Sequence, residues 1–416
     1  VTTEPAVLEI TALGAQGDGL AQTADSARYV PFALPGERVR VDGDGLPKLL
    51  SAPSPERRQP PCRHFGTCGG CVAQHMGDAL YERWKRGIVV EAMRQHGLEM
   101  EVGQLVRVPA GSRRRAVFTA RREAGKIVLG YHRRRSHELF TLEECPVLQP
   151  DIVGQLSCLR EIAAKLTQRE LRLTVLSTPN GLDVTADGAR VRLDARTAAD
   201  LARVVAGHGI AHLSVEGEII VERAQPTLAM GLAGVVPPPG AFVQAVAQAE
   251  TAMVERVLAA AGKAKRVADL FCGVGTFAFP LARRARILAI DGEQKAIDAL
   301  TAAARLARGL KPIETRARDL FRIPLSPKEL DGLDAVVLDP ARAGAEAQAR
   351  QIARSAVPTA ILVSCNPGTL ARDMRILTDG GYAPEGVTPI DQFLYSHHVE
   401  AVAVLRRPAH VRRPPR

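Results

Sequence analysis

Apolar and polar positions change rhythm twice along the chain. Over residues 6–50, short apolar runs (AVLEITAL, GLAQTA, ARYVPFAL, ERVRV) alternate with turns marked by Gly14, Gly17, Gly19 and the Pro35–Gly36 pair. That spacing predicts a small β-barrel of the oligonucleotide-binding size over residues 1–55. The stretch SAPSPERRQPP, 51–61, is proline-rich and charged and reads as a linker. From 56 to 240 the pattern is mixed. Residues 79–97 carry Leu80, Trp84, Ile88 and Met93 at helical spacing, and a helix near 78–105 is expected to pack on the C-terminal part. LRLTVLSTPNGLDVTADG predicts a hairpin with Asn180–Gly181 as a type I′ turn. HLSVEGEIIVER predicts a second strand pair, and VVPPPGAF at 235–242 marks a boundary.

From 241 to 416 helix and strand alternate. A helix at 245–261 precedes the strand RVADLF, a glycine-rich turn, the helix TFAFPLARRA, the strand ILAID, the helix EQKAIDALTAAARLA and the strands DAVVLDP and AILVSC. Alternation of this kind predicts an α/β domain with a doubly wound parallel sheet. Such sheets bind ligands beyond the carboxyl ends of their strands. Asp291, Asp339 and Cys365 all fall at strand ends, so one crevice is expected to hold them.

Composition narrows the class. The 416 residues are 46% hydrophobic and 24% charged, which suits a soluble protein of two or three domains. No apolar run is long enough to span a membrane. The first residues, VTTEPAVLEI, lack the basic and apolar regions of a signal peptide, so a cytoplasmic protein is expected. The net charge of +10 points to a polyanionic partner. Ten basic residues and one acid, Glu123, lie between Arg107 and Arg135, and RRPAHVRRPPR ends the chain. The first cluster flanks AVFTARREAGKIVLGYH and is read as a nucleic-acid face. A solvated arginine-rich surface is the alternative. Aromatic residues make up only 4%, so phosphates rather than stacked bases would dominate contact.

The turn DLFCGVGTFA, 269–278, contains Gly-x-Gly-x-x-Ala, which dinucleotide and S-adenosylmethionine sites share. Charge separates the two. A dinucleotide brings a pyrophosphate, whereas S-adenosylmethionine brings a sulfonium cation and favours nearby carboxylates. Asp269, Asp291, Asp319 and Asp339 provide them, so S-adenosylmethionine is favoured.

Three of seven cysteines fall in CRHFGTCGGC, as Cys62-x5-Cys68-x2-Cys71, and Cys145 follows in EECPVL. Clustered thiols in a cytosolic chain suggest a metal centre, and this spacing leaves zinc or a [4Fe–4S] cluster open. His64 and His75 are candidate zinc ligands but read rather as solvated loop histidines, Cys158 as core, and Cys272 as lining for the cofactor turn.

Taken together, the chain resembles the bacterial RNA (uracil-5-)-methyltransferases, specifically their 23S rRNA type. GLAQTADSARYVPFALPGERVRV resembles that family's TRAM barrel, and CRHFGTCGGCVAQH with Cys145 resembles its [4Fe–4S] site. FVQ at 242–244, DLFCGVGTF, AIDG, ARDLF, LDPARAGA, SCNPGTLARD and HHVEAVAVL resemble its methyltransferase motifs in order. Two positions depart from the family pattern. Ala341 stands where a second proline is common, and Val243 where a second aromatic is common.

The resemblance implies a class I, Rossmann-like methyltransferase domain and methyl transfer to uracil C5 in RNA, with 23S rRNA as target and tRNA as the alternative. It implies Cys365 as nucleophile, Glu400 as general base, and Asp339 in contact with the cofactor; the position of Asp339 in the sequence also suggests contact with the target base. Gln244, Phe271, Gly273, Thr276, Asp291, Asp319 and Asp339 would bind S-adenosylmethionine. Cys62, Cys68, Cys71 and Cys145 would hold a [4Fe–4S] cluster with a structural or RNA-positioning role. A monomer is expected. The competing classes are a nicotinamide oxidoreductase with an iron–sulfur cluster and a non-catalytic RNA-binding protein. The acidic strand ends argue against the first, and the presence of both Cys365 and Glu400 against the second.

Overall fold

The computed structural model describes residues 7–23, 26–41, 47–167, 169–191 and 193–408. The C-terminal basic run therefore lies mostly outside the described residues.

Seven strands form the largest sheet: Arg266–Leu270, Arg286–Asp291, Ile313–Ala317, Ala335–Leu338, Thr359–Ser364, Ala383–Ile390 and Glu400–Arg406. Counted along the chain, their spatial order is 3-2-1-4-5-7-6. The first five pair in parallel. The last runs antiparallel to both of its neighbours, which corrects the expectation of a wholly parallel sheet. Residues 391–399 joining the last two strands are too few for a parallel crossover, so the chain returns as a hairpin.

Both faces of this sheet are buried, which is why its strands read as continuous apolar runs. Val267, Val337, Ile361, Val363 and Val402 face one core with the helices Ala247–Ala261 and Gln294–Leu306. Ala268, Val336, Leu338, Leu362 and Ala403 face the other, with the helices Glu346–Ala353 and Pro367–Asp379. Each fully buried aliphatic side chain here is worth roughly 1.5–3 kcal/mol.

The helix Asp78–Gln95 joins this body although it lies far upstream. Val89, Ala92 and Met93 enter the second core, and Leu80, Tyr81 and Trp84 enter the first. Lys85 on the same helix is fully buried and ion-pairs with buried Asp391 at 2.8 Å. Tyr81 Oη donates to Asp391 Oδ2 at 2.7 Å. Lys85 Nζ also donates to the carbonyls of Phe393 and His398. One helix thus fastens the loop that follows strand Ala383–Ile390.

A six-stranded sheet carries Arg115–Glu123 and Lys126–Gly130 at one edge. The helices Leu156–Leu166 and Ala195–Val205 cover its apolar face, with Cys158 fully buried among them. Its hairpin corrects the turn expected at Asn180–Gly181. Thr178 pairs with Gly181, so Pro179 and Asn180 are the loop residues. Gly181 alone has positive φ, +117°, where a type I′ turn would need it at both central positions. Proline's fixed φ decides the turn and leaves the glycine to follow it.

At the N-terminus, two three-stranded antiparallel sheets share a small core of Leu8, Ile10, Ala21, Val30, Ala33 and Val39. The segment read as a linker is fastened to them. Buried Glu37 accepts from the Leu34 and Ser54 amides and from Arg57 Nε, the last at 2.6 Å. Trp84 Nε1 donates to the Gly14 carbonyl at 2.9 Å.

Candidate active site

Strand Thr359–Ser364 ends at Cys365, and a helix starts at Pro367. Asn366 caps that helix by accepting the Gly368 N–H at 3.1 Å, and Pro367 fills the first helical position, where no donor is needed. Asn366 Nδ2 and Thr369 Oγ1 both donate to the Arg342 carbonyl, tying this turn to the end of strand Ala335–Leu338. On the other side, Ser364 pairs with Ala401. The next positions, Cys365 and Glu400, therefore stand across from each other.

The electrostatics agree with that placement. Burial pushes the Cys365 thiol up to about 11; the Glu400 and Asp339 charges add to the rise and Arg342 opposes it. Burial, then the Asp339 charge, pushes Glu400 up to about 8, against one hydrogen bond from Gln392. Burial pushes Asp339 up to about 7, against a hydrogen bond from Gln244. Cys365, Glu400 and Asp339 are thus brought together, with two buried glutamines bridging the acids. Gln244 Nε2 donates to Asp339 Oδ2 at 3.1 Å, and Gln392 Nε2 donates to Gln244 Oε1 at 2.8 Å and to Glu400 Oε2 at 3.0 Å. A thiol, a basic carboxylate and a second carboxylate at one rim can add to an electron-poor double bond and move a proton.

The glycine-rich turn lies beside them. Asp291 accepts the Gly273 N–H at 2.9 Å and the Glu293 N–H at 2.8 Å. A Cβ on Gly273 would meet nothing within 4 Å, so open space faces that backbone, whereas one on Gly275 would strike Phe279 at 2.6 Å. Gly273 leaves room for a ligand, and Gly275 serves helix packing. Phe271 has φ +60° and packs against Phe321, ring centroids 5.1 Å apart. Asp319 accepts the Phe321 N–H at 3.0 Å. Thr276 is partly exposed on the turn. Asp269 is fully buried, and neither oxygen makes a hydrogen bond of ordinary geometry. Burial and the Asp339 charge hold it well above the usual carboxylate range, with the Ala278 N–H pulling partly back. A crowd of acids with raised affinity for protons is a good receptor for a cation. These residues fit S-adenosylmethionine.

Of the two departures from the family pattern, Val243 is buried in the first core and Ala341 is exposed. Phe242 is 64% exposed, with the Arg115 guanidinium 5.7 Å from its ring centre.

Cys68, Cys71 and Cys145 line one cleft of about 450 Å³, together with Arg113, Arg134 and Arg342. Burial pushes Cys68 up to about 11 and Cys71 up to about 12, and the neighbouring thiols, Cys62 among them, add to both. The four sulfurs therefore feel one another. Among the described residues, however, no three His, Cys, Asp or Glu side chains stand close enough to grip a single metal ion. A four-iron cluster is larger than an ion and needs its ligands further apart. The donor set fits such a cluster in chemistry, because buried thiolates are tolerable only beside a strong positive charge.

His75 is not solvated. It is 1% exposed, close to the rings of Phe32 and Phe65, and neither ring nitrogen has a partner. Burial first, then Arg57, holds its pKa down to about 3. His64 Nε2 accepts the Glu143 N–H at 3.2 Å. The His397 and His398 rings are tilted against each other with centroids 4.0 Å apart, and Arg342 is 3.0 Å from His398.

The basic run is not one open face. Arg107 pairs with Asp78 and Glu82, Arg121 with Glu170, and Arg134 and Arg135 with buried Asp18. Arg114 is buried; it pairs with Glu250 at 2.6 Å and donates to the Gln244 carbonyl at 3.0 Å. Its work is internal, holding the segment that carries Gln244. Arg114, Gln392, and the Lys85–Asp391 pair support the segments that carry the candidate site, and sequence reasoning missed them.

Residues 237–408 match the family described as tRNA (uracil-5-)-methyltransferase. The 23S rRNA (uracil(1939)-C(5))-methyltransferase RlmD of Halomonas elongata is 32% identical, over 98% of this chain and 90% of its own. The chain belongs to the RNA (uracil-5-)-methyltransferase family. A Rhizobium meliloti relative, named as an RNA methyltransferase, is 49% identical over 96% of this chain and 98% of its own. A solved Pyrococcus abyssi tRNA (uracil-54, C5)-methyltransferase, bound to S-adenosyl-L-homocysteine, superposes with a TM-score of 0.74. It covers 96% of this chain and 100% of its own at 22% identity, which shows the fold alone. The protein is a uracil-5 methyltransferase of the class I, S-adenosylmethionine-dependent kind. Among its described residues, no helix is long and apolar enough to cross a membrane.

Proposed function

We propose that this enzyme methylates C5 of a uridine in 23S rRNA through a covalent adduct at Cys365. The observation that carries the mechanism is the convergence of Cys365, Glu400 and Asp339 at one rim beside the glycine-rich turn. S-adenosylmethionine supplies an electrophilic methyl group and a positive charge. Gln244, Phe271, Gly273, Thr276, Asp291, Asp319 and Asp339 hold it there. Cys365 gives up its proton to solvent and bonds through Sγ to uracil C6, and the C5=C6 pair passes onto C5 as an enolate. The enolate pair then forms the C5–CH3 bond, while the pair of the broken S–CH3 bond stays on sulfur and S-adenosylhomocysteine leaves. Glu400 removes the C5 proton, the C–H pair restores C5=C6, and the C6–Sγ bond breaks with its pair returning to Cys365.

Cys365 and Glu400 are both pushed toward their neutral forms before ligands bind. A cation placed among the acids favours ionisation of each. Asp339, beside both, would accept from the target base. Such a base must leave its stack to reach this rim.

The target reading is supported by the full-length match to a 23S rRNA enzyme. The N-terminal pair of sheets is read as a TRAM-like module. With the cleft lined by Arg113, Arg134 and Arg342 it would hold the RNA by its phosphates. Cys62, Cys68, Cys71 and Cys145 are read as ligands of a [4Fe–4S] cluster that stiffens this cleft. Protein purified without oxygen should then carry about four irons per chain, and Cys68→Ser should lower that count.

Transcripts of 23S rRNA and of tRNA, incubated with enzyme and labelled S-adenosylmethionine, test the target. Label in 5-methyluridine of 23S rRNA alone is expected. Label in tRNA alone would move the target and leave the chemistry standing.

A further inference from the structure

Two carboxylates, half-buried Asp339 and buried Glu400, face the same rim, and a chain of two amides runs between them. The direction of each amide is fixed by its neighbours. Gln392 Oε1 accepts the Val246 N–H at 3.4 Å, so its NH2 end points the other way. Both amide hydrogens are then used, one on Gln244 Oε1 and one on Glu400 Oε2. Gln244, whose oxygen is occupied, must turn its own NH2 toward Asp339. Gln392 is 1% exposed, so no water competes for these positions. Tyr81 and Lys85 hold its neighbour Asp391 from the other side.

We propose that Gln392 is a positioning residue for proton abstraction: it pins Glu400 through Oε2 and leaves Oε1 as the oxygen that takes the uracil C5 proton. The inference rests on the reading of Glu400 as the base. In the step concerned, the C5–H bond breaks and its proton goes to Oε1. The freed pair forms C5=C6, and the C6–Sγ pair leaves on Cys365. Methyl transfer precedes this step and does not use Oε1.

The titratable groups facing Glu400 are Asp339 and Cys365, and Arg342 lies beyond Cys365. Burial and the Asp339 charge already disfavour ionised Glu400. The Gln392 hydrogen bond is the contact that favours it. Without that donor the carboxyl holds a proton to higher pH, and its free oxygen is no longer aimed.

Gln392→Met and Gln392→Asn test this. The first removes the amide; the second withdraws it from Glu400 by one methylene. Retained thermal stabilisation by S-adenosylhomocysteine shows that each variant is folded. On RNA with ordinary uridine, release of methylated product should slow roughly 10- to 100-fold, the scale of a misplaced catalytic group. A Cys365–RNA adduct should then accumulate on denaturing gels. The acidic limb of the release rate should move to higher pH. On RNA with 5-fluorouridine, formation of the methylated adduct should stay within about threefold of the parent enzyme, because elimination is blocked there in both.

Equal slowing of adduct formation and release, or an unmoved acidic limb in both folded variants, would overturn the inference and leave the Cys365 chemistry intact. Absence of any adduct with the parent enzyme would remove the underlying reading, and the inference with it.

Discussion

The two cysteine regions of this enzyme are built in opposite ways. At the proposed catalytic rim, Cys365 sits between a capped helix and a paired strand, and polar neighbours have named partners: Asn366 on Gly368, Gln244 on Asp339, Gln392 on Glu400. At the four-thiol region, Cys62, Cys68, Cys71 and Cys145 share a neighbourhood and push one another toward the protonated form. The hydrogen bonds that orient the rim are made within the protein. The thiol region is a set of donors whose charged forms repel one another, eased at Cys145 by Arg113. Preorganisation belongs to the site that does chemistry, because misplacement there costs rate directly.

The comparison can be broken at either region. The largest effect is expected at Glu400. Glu400→Gln should lower turnover by roughly 10²–10⁴-fold, the usual contribution of a general base, while S-adenosylhomocysteine still raises the melting temperature. The pH profile gives the same residue a second test. A carboxyl raised to about 8 is protonated below that pH. Release should therefore rise with pH through this region, with the bound cation moving the limb downward. Turnover of Glu400→Gln within threefold of the parent would show that the rim is packing rather than machinery.

Lys85 tests what holds the rim. Lys85→Met leaves Asp391 as a buried charge without its cation and should cost about 3–5 kcal/mol in urea unfolding. It should also loosen residues 391–398 and so lower turnover. A change below about 1 kcal/mol would mean that the pair is not isolated from water.

The smallest effect belongs to the thiol segment. His75 is held neutral in the folded protein, with its pKa near 3, against about 6.5 when unfolded. The unfolded chain binds the extra proton, so stability is full above pH 6.5 and is lost as pH falls toward 3. Between pH 6.5 and 5.5 this should amount to about 1 kcal/mol, and His75→Phe should remove it. An unchanged pH slope in that variant would place His75 in contact with water.

What the sequence made legible follows from how local each signal is. Cys365 could be placed because an apolar strand, a thiol and an Asn-Pro-Gly turn are consecutive, and strand ends in α/β sheets face the ligand. Glu400 had no such local mark and came only through family resemblance. Gln392 escaped notice because its partner Gln244 lies 148 residues away. The basic run could not be divided into paired and open arginines for the same reason. Arg114 finds Glu250 at a separation of 136 residues, and a count of charges does not reveal a buried partner. The hairpin turn failed at close range: the Asn–Gly pair suggested one turn, but Pro179 just before it selected another.

The most direct test of the central claim is a covalent trap. The enzyme is purified without oxygen and mixed with S-adenosylmethionine and 23S rRNA containing 5-fluorouridine, then run on a denaturing gel. Fluorine at C5 cannot leave as a proton, so the account expects a methylated protein–RNA complex that survives denaturation and is absent in Cys365→Ala. A complex that persists in Cys365→Ala, or none with the parent enzyme while S-adenosylmethionine still binds, would contradict it.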